Sequence, residues 1–222
     1  MEDNSPTMRA ARDAGPHSPF RHPGQHVCSG AVCERLQARV RDLEVENEKL
    51  RRLALTDELT GTYNRRYFHD RLRTVLVERP RSGALALCLF DIDNFKDIND
   101  AHGHYAGDGV LRAVSLVAQD KLQRTDDCLC RLGGDEFAAI YTALSPSQAV
   151  EHAQQILDGI RLLKLPPAGA GARPGIVTAS FGVVWLDAYS ALDCDQVYAA
   201  ADQALYRAKQ AGRNQIGIAH LQ

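Results

Sequence analysis

Ala84 to Phe90 is an unbroken run of seven apolar residues, followed by Asp91-Ile92-Asp93. A bilayer span needs about 20 such residues, so the run crosses no membrane. Its length and its polar exit read as a short buried strand. A strand of that kind needs cover on both faces of its sheet, which restricts the chain to a layered fold containing helices.

The flanking segments supply those helices. Asn64 to Val77 places Tyr67, Phe68, Leu72, Val75 and Leu76 on one side, with Thr56 or Asp57 upstream as candidate caps. Gly107 to Leu122, Pro146 to Leu163 and Asp195 to Ala211 show the same helical spacing, the last stopped by Gly212. Cys128 to Leu132 and Phe137 to Thr142 flank Gly133-Gly134-Asp135-Glu136 and read as a hairpin. Ile176 to Leu186 reads as a further strand, and Pro166 to Gly175 as a loop. The expected fold class is therefore an α/β (α+β) sandwich, a mixed central sheet covered by helices.

Residues 31–56 obey a different rule. Cys33, Leu36, Val40, Leu43, Asn47, Leu50 and Ala54 are spaced 3, 4, 3, 4, 3, 4, an a/d heptad seam with charged flanks. Asn47 at an a position favours a parallel pair in one register. The spacing predicts a coiled-coil dimerisation helix; the plainer reading is an amphipathic helix packed on its own domain. Residues 1–30 carry four of the nine prolines and no apolar period, and read as a disordered tail. His17, His22, His26, Cys28 and Cys33 crowd together there, but the spacing matches no common zinc pattern. Residues 57–222 remain as the globular domain.

A formal net charge of −2 argues against a nucleic-acid binder. The first twenty residues contain no apolar core of a secretory signal, and the six cysteines do not form a secreted disulfide framework. A cytoplasmic location with reduced thiols is expected.

Carboxylates stand where folding alone would not choose them. Asp91 and Asp93 leave the buried strand at the sheet rim, where ligands commonly bind in α/β folds. Asp135 and Glu136 come directly after two glycines at a hairpin tip, giving oxygen ligands for a hard cation, or else a plain turn. Lys209 and Arg213 lie four apart, and either meet phosphate or complement a helix C-terminus. Gly103 to Gly109 lacks the Lys-Ser/Thr of a P-loop.

Arg131-Leu132-Gly133-Gly134-Asp135-Glu136-Phe137 resembles the signature of GGDEF-domain diguanylate cyclases. Asp57-Glu58-Leu59-Thr60-Gly61 with Asn64-Arg65-Arg66 is similar to the family's opening motif. Phe90-Asp91-Ile92-Asp93, Phe95-Lys96, Asn99-Asp100, Gly103-His104 and Gly107-Asp108 resemble its second. Ala201-Asp202-Gln203-Ala204-Leu205-Tyr206, Ala208-Lys209 and Gly212-Arg213-Asn214 resemble its last. Together they cover roughly residues 56–218 in order. Thr62-Tyr63 departs from the family's usual Leu-Pro, a difference expected to alter packing and not chemistry.

The resemblance implies a palm-like nucleotidyl-cyclase domain that condenses two GTP into cyclic di-GMP as a homodimer joined through residues 31–56. It implies two Mg²⁺ (or Mn²⁺) per half-site, held by Asp91, the Ile92 carbonyl and Asp135. Glu136 would assist the metal or the 3′-hydroxyl. Asn99 and Asp108 would read guanine, Gly133 and Gly134 would line the nucleotide, and Lys96, Lys209 and Arg213 would hold phosphates. Arg124 and Asp127, with Arg131 adding a contact, would form an RxxD site through which cyclic di-GMP inhibits. A regulatory protein acting on the N-terminal helix fits this organisation; nucleic acid and membrane do not. The alternatives are a catalytically silent receptor for GTP or cyclic di-GMP, and a metal-binding scaffold built on the His/Cys tail.

Overall fold

The computed structural model describes residues 30–78, 84–165, 176–187 and 192–219. His17, His22, His26, Cys28 and the loop expected over 166–175 lie outside them. The chain divides into two units, Met1–Glu46 and Asn47–Gln222. Helix α1, Gly30–Leu55, carries the heptad seam, and none of its 26 residues is buried.

The elements of the second unit are, in chain order, β1 (Tyr63–Asn64), α2 (Arg65–Glu78), β2 (Leu85–Ile92), α3 (Phe95–His102), α4 (His104–Lys121), β3 (Cys128–Gly133), β4 (Glu136–Thr142), α5 (Pro146–Leu162), β5 (Ala179–Leu186), α6 (Cys194–Gln210) and β6 (Ile216–Ala219). The six strands form one sheet in the order β1-β3-β4-β2-β5-β6. The two edge pairs are parallel and the inner pairs antiparallel, so the sheet is mixed.

All eight residues of β2 are buried, because the sheet has cover on both faces. Ala86, Cys88, Phe90 and Ile92 join a core with Val110, Leu111 and Val114 of α4 and Ile156, Leu157 and Ile160 of α5. Leu85, Leu87 and Leu89 join the opposite core with Phe68 and Leu72 of α2 and Val197, Ala201 and Leu205 of α6. Helix α6 rests directly on the sheet. A Cβ at Gly182 would overlap the Ala201 carbonyl oxygen and the Leu205 amide, so the glycine inside β5 is required by this close approach.

Four elements differ from the sequence reading. Helix α3 is additional: its eight residues are mostly polar and bury only Ile98, too little for a period to show. Strands β1 and β6 have two and four residues and gain their hydrogen bonds from β3 and β5, not from any pattern of their own. Helix α4 starts at His104, before Gly107, because Gly103 ends α3 and opens α4 at φ 82°. The cap of α2 also differs, since Asn64 Oδ1 accepts from the Tyr67 amide at 3.2 Å. Asp57 instead closes a tight turn by accepting from the Thr60 amide and hydroxyl. The Thr62-Tyr63 departure is absorbed by packing. Thr62 is buried with its hydroxyl on that of Thr60, and Tyr63 stacks on Tyr67 with centroids 3.7 Å apart.

Candidate active site

The rim of the sheet is set by an aromatic ladder. Phe90 lies opposite Phe137 on one neighbouring strand and Phe181 on the other. Its ring stacks on both, at 5.1 and 4.8 Å between centroids. Aromatic pairs contribute about 0.5–1.5 kcal/mol each beyond burial, so the register at this end is firmly fixed. One residue further on, the pleat turns Asp91 to the α6 face, opposite Glu136 and Ser180. The Ile92 amide reaches the Asp135 carbonyl at 3.4 Å. The rim thus gathers Asp91, Ile92, Asp135 and Glu136.

The hairpin tip needs its glycines. Gly133 and Gly134 have φ of 146° and 55°, and the ladder slips by one residue between Arg131 and Gly133. The Arg131 guanidinium braces the turn, donating through Nε and a terminal nitrogen to the Gly134 carbonyl at 2.9 and 2.8 Å. Its other terminal nitrogen donates to Asp57 at 3.0 Å. Burial pushes the Asp57 carboxyl up, but hydrogen bonds from Thr60 and Arg131 outweigh it and hold the group below its ordinary range.

Asp91 carries the electrostatic tension of the site. Burial pushes its carboxyl up to about 6; the Lys209 ammonium opposes that, while the Asp135 and Glu136 charges add to it. Lys209 Nζ lies 2.9 Å from Asp91 Oδ1. Converging acids, one of them largely desolvated, form an oxygen-donor set that a hard divalent cation would relieve. Among the described residues no three His, Cys, Asp or Glu side chains gather closely enough to cage a metal. Mg²⁺ is commonly shared between one or two carboxylates and substrate phosphates.

Helices α3 and α4 pack against each other beyond the rim. Asn99 Oδ1 on α3 is buried with no hydrogen-bond partner among the described residues. A Cβ at Gly107 would overlap that same oxygen, so this glycine makes room for the Asn99 amide, with Asp108 the next residue on α4. An unpaired buried acceptor is costly unless a ligand supplies a donor. Lys96 is exposed on the first turn of α3, and Arg213 is exposed in the turn after α6.

Arg124 and Asp127 stand at the start of β3, with the hairpin tip at its other end. Six residues of strand separate the two by roughly 17 Å. Arg124 donates to the Thr142 carbonyl at 2.9 Å, and Asp127 accepts from the Thr142 amide at 3.2 Å. Arg131 is therefore brought to the hairpin and to Asp57, not beside Arg124.

The sequence reading placed Asp93 at the rim without a role, and missed Arg161. Asp93 is buried and accepts from the hydroxyls of Thr178 and Ser180, both at 2.6 Å, and from the Asn214 amide at 3.0 Å. Arg161 donates to the Asn214 side chain and carbonyl, both at 2.8 Å. Asp93 was visible as an acid beside Asp91, but its partners lie 85 or more residues away. Arg161 offered no signal beyond a basic residue in the last turn of a helix.

A mixed sheet covered on both faces, with acids on a Gly-Gly hairpin at its rim, is the architecture of a palm-like nucleotidyl-cyclase domain. The family model described as diguanylate cyclase, GGDEF domain, matches residues 54–215, and the chain belongs to that family. Diguanylate cyclase DgcP of Pseudomonas aeruginosa is 36% identical over 194 residues, covering 85% of this chain and 28% of DgcP. Cyclic di-GMP phosphodiesterase PdeR of Escherichia coli is 34% identical over 193 residues, covering 86% of this chain and 27% of PdeR. The chain thus spans less than a third of the length of these relatives. The crystal structure of the coiled coil and GGDEF domain of DgcB from Caulobacter crescentus, in complex with c-di-GMP, superposes with a TM-score of 0.73 at 30% identity, covering 86% of this chain and 98% of that one. Among the described residues no helix is long and apolar enough to cross a membrane.

Proposed function

We propose that this chain is an active diguanylate cyclase that works as a homodimer in the cytoplasm. The observation that carries the reading is the rim itself: Asp91 opposite Glu136, both glycines and Asp135 present, and Lys209 on Asp91. Each domain would hold one GTP. Asn99 and Asp108 would accept from guanine N1–H and N2–H₂, donors adenine lacks on that edge, and the unpaired Asn99 oxygen supports this. Gly133 and Gly134 leave room for the nucleotide, while Lys96, Lys209 and Arg213 would neutralise its phosphates.

The 3′-oxygen of one nucleotide bonds to the α-phosphorus of the other. The bond from that phosphorus to the oxygen bridging the β-phosphate breaks, and pyrophosphate leaves. The hydroxyl proton passes to Glu136 or to water. A second transfer in the opposite sense closes the ring, so two GTP give one cyclic di-GMP and two pyrophosphates. Asp91, the Ile92 carbonyl, Asp135 and Glu136 would hold two divalent cations, Mg²⁺ or Mn²⁺, which lower the charge on the transferring phosphoryl group and activate the hydroxyl.

Two domains must face each other for this reaction. The exposed heptad seam of residues 31–56 supports a coiled coil that joins two copies and raises their effective concentration. The same helix gives a regulatory protein a place to act. Cyclic di-GMP would inhibit at Arg124 and Asp127 by favouring a non-productive arrangement of domains, with Arg131 contributing through the turn it braces.

Incubation with GTP and Mg²⁺, followed by chromatography of the products, tests the reading: cyclic di-GMP and pyrophosphate in a 1:2 ratio are expected. The second reading is a receptor that binds guanine nucleotides without turnover, and the similarity to PdeR, a chain named for a different activity, is what favours it. Nucleotide binding with no product would establish that receptor instead.

A further inference from the structure

The turn that carries Arg213 has a backbone its own residues would not choose. Arg213 and Asn214 have φ of 64° and 49°, immediately after Gly212 at 117°. Left-handed backbone is disfavoured for residues with side chains, and two in succession need outside support. That support grips Asn214 at its amide, its carbonyl and its side-chain oxygen. Its amide donates to Asp93 Oδ2 at 3.0 Å, and Asp93 is itself fixed by Thr178 and Ser180. Its side-chain oxygen and its carbonyl accept from Arg161 Nε and a terminal nitrogen, both at 2.8 Å. A fork of that geometry is stronger and more directional than two separate contacts. The third nitrogen of Arg161 is held by Asp158 at 2.8 Å, which sets the guanidinium plane.

We propose that Arg161 and Asp93 are positioning residues for triphosphate binding, acting through Asn214 to hold the turn from which Arg213 reaches the phosphates. This rests on the reading of Arg213 as a phosphate ligand. Asp93 comes from the metal rim and Arg161 from the end of α5, so the turn is tied to both the site and the opposite helix layer. The fold does not depend on Arg161. Helix α6 has its own capping box at Asp193 and buries Val197, Ala201, Ala204, Leu205 and Ala208. The charged partner of Arg161, Asp158, is 52% exposed, so removing Arg161 strands no buried charge.

The test measures dissociation constants by calorimetry for two ligands: guanosine, and a GTP analogue with a methylene between the α- and β-phosphorus, which cannot turn over. Arg161→Ala should weaken the analogue about ten-fold, the scale of one charge-assisted contact, while guanosine changes by less than about two-fold. Adding Asn214→Gly to Arg161→Ala should recover most of the analogue affinity, because glycine adopts the left-handed turn unaided. Equal weakening of both ligands, or no recovery with glycine, overturns the proposal. So does an unchanged analogue affinity in Arg161→Ala when Arg213→Ala weakens it. If Arg213→Ala has no effect, the phosphate role of Arg213 falls and the positioning role falls with it.

Discussion

Helix α1 and strand β2 both carry regular apolar patterns, yet none of the 26 residues of α1 is buried and all eight of β2 are. The strand is satisfied within one chain, since α4 and α5 cover one face and α2 and α6 the other. The helix leaves Leu36, Val40, Leu43 and Leu50 between 47% and 59% exposed on one stripe. A seam of this kind can be stabilised only by a second surface, and its 3-4 spacing suits another helix of the same pattern. Under the proposed function, the domain holds the chemistry of a half-site, while the helix holds the means of bringing two half-sites together.

Four substitutions or conditions separate those roles. The largest effect belongs to the rim. Asp135→Ala should lower cyclic di-GMP synthesis by about a thousand-fold or more, with the dimer and the melting temperature retained. Wild-type turnover in that variant, measured as product formed per minute, would remove Asp135 from the site. Next comes the seam. Leu36→Glu with Leu43→Glu should give monomers by light scattering and lower the rate at dilute protein by about a hundred-fold, recovering as protein concentration rises. A variant still dimeric would assign dimerisation to another surface.

The proposed inhibitory site comes next. Arg124→Ala removes a charge-assisted contact of about 1.5–3 kcal/mol, so the inhibition constant of added cyclic di-GMP should rise roughly 10- to 150-fold with kcat unchanged. Initial rates against product concentration read this directly, and an unmoved constant would make Arg124 and Asp127 an ordinary surface pair.

The last effect is on pH. Asp91 has a carboxyl at about 6 in the folded chain against an ordinary 3.8, so the folded state takes up the proton first. The group contributes fully to stability below about pH 4, and that contribution is lost as pH rises through about 6, a change of about 3 kcal/mol. Asp91→Asn should therefore resist urea better than the native chain at pH 7.5 and equally at pH 4, while losing synthesis. In the native chain, synthesis at limiting Mg²⁺ should fall as pH drops through 6 and be partly restored by more Mg²⁺, because metal competes with the proton. A rate indifferent to Mg²⁺ at pH 5.5 would separate Asp91 from the metal.

Much of this was legible along the chain. The buried run before Asp91, the hairpin around Gly133-Gly134 and the long helices each satisfy a local rule. Helix α3 was not legible, since it buries one residue and is held by Asn94 at φ 54° and by packing on α4. The two short edge strands exist only by pairing. The bracing of the Gly134 turn by Arg131 and its pairing with Asp57, 74 positions away, had no signal along the chain.

By itself, the sequence determined which residues could alternate between two cores, where the acids and glycines fall, and that residues 31–56 carry an apolar stripe at heptad spacing. These features come from periodicity and from side-chain chemistry, both of which act over a few residues. Only the tertiary structure decided which carboxylate is tied down by hydrogen bonds and which is left facing other acids. Asp91 and Asp93 are two residues apart at one end of the sheet. Asp93 meets two hydroxyls and an amide that occupy both its oxygens, whereas Asp91 meets two acids and a single lysine. The difference lies in the donors and charges that β5, the hairpin, the end of α6 and the turn after it bring from distant sequence, and electrostatic energies depend on distances in space.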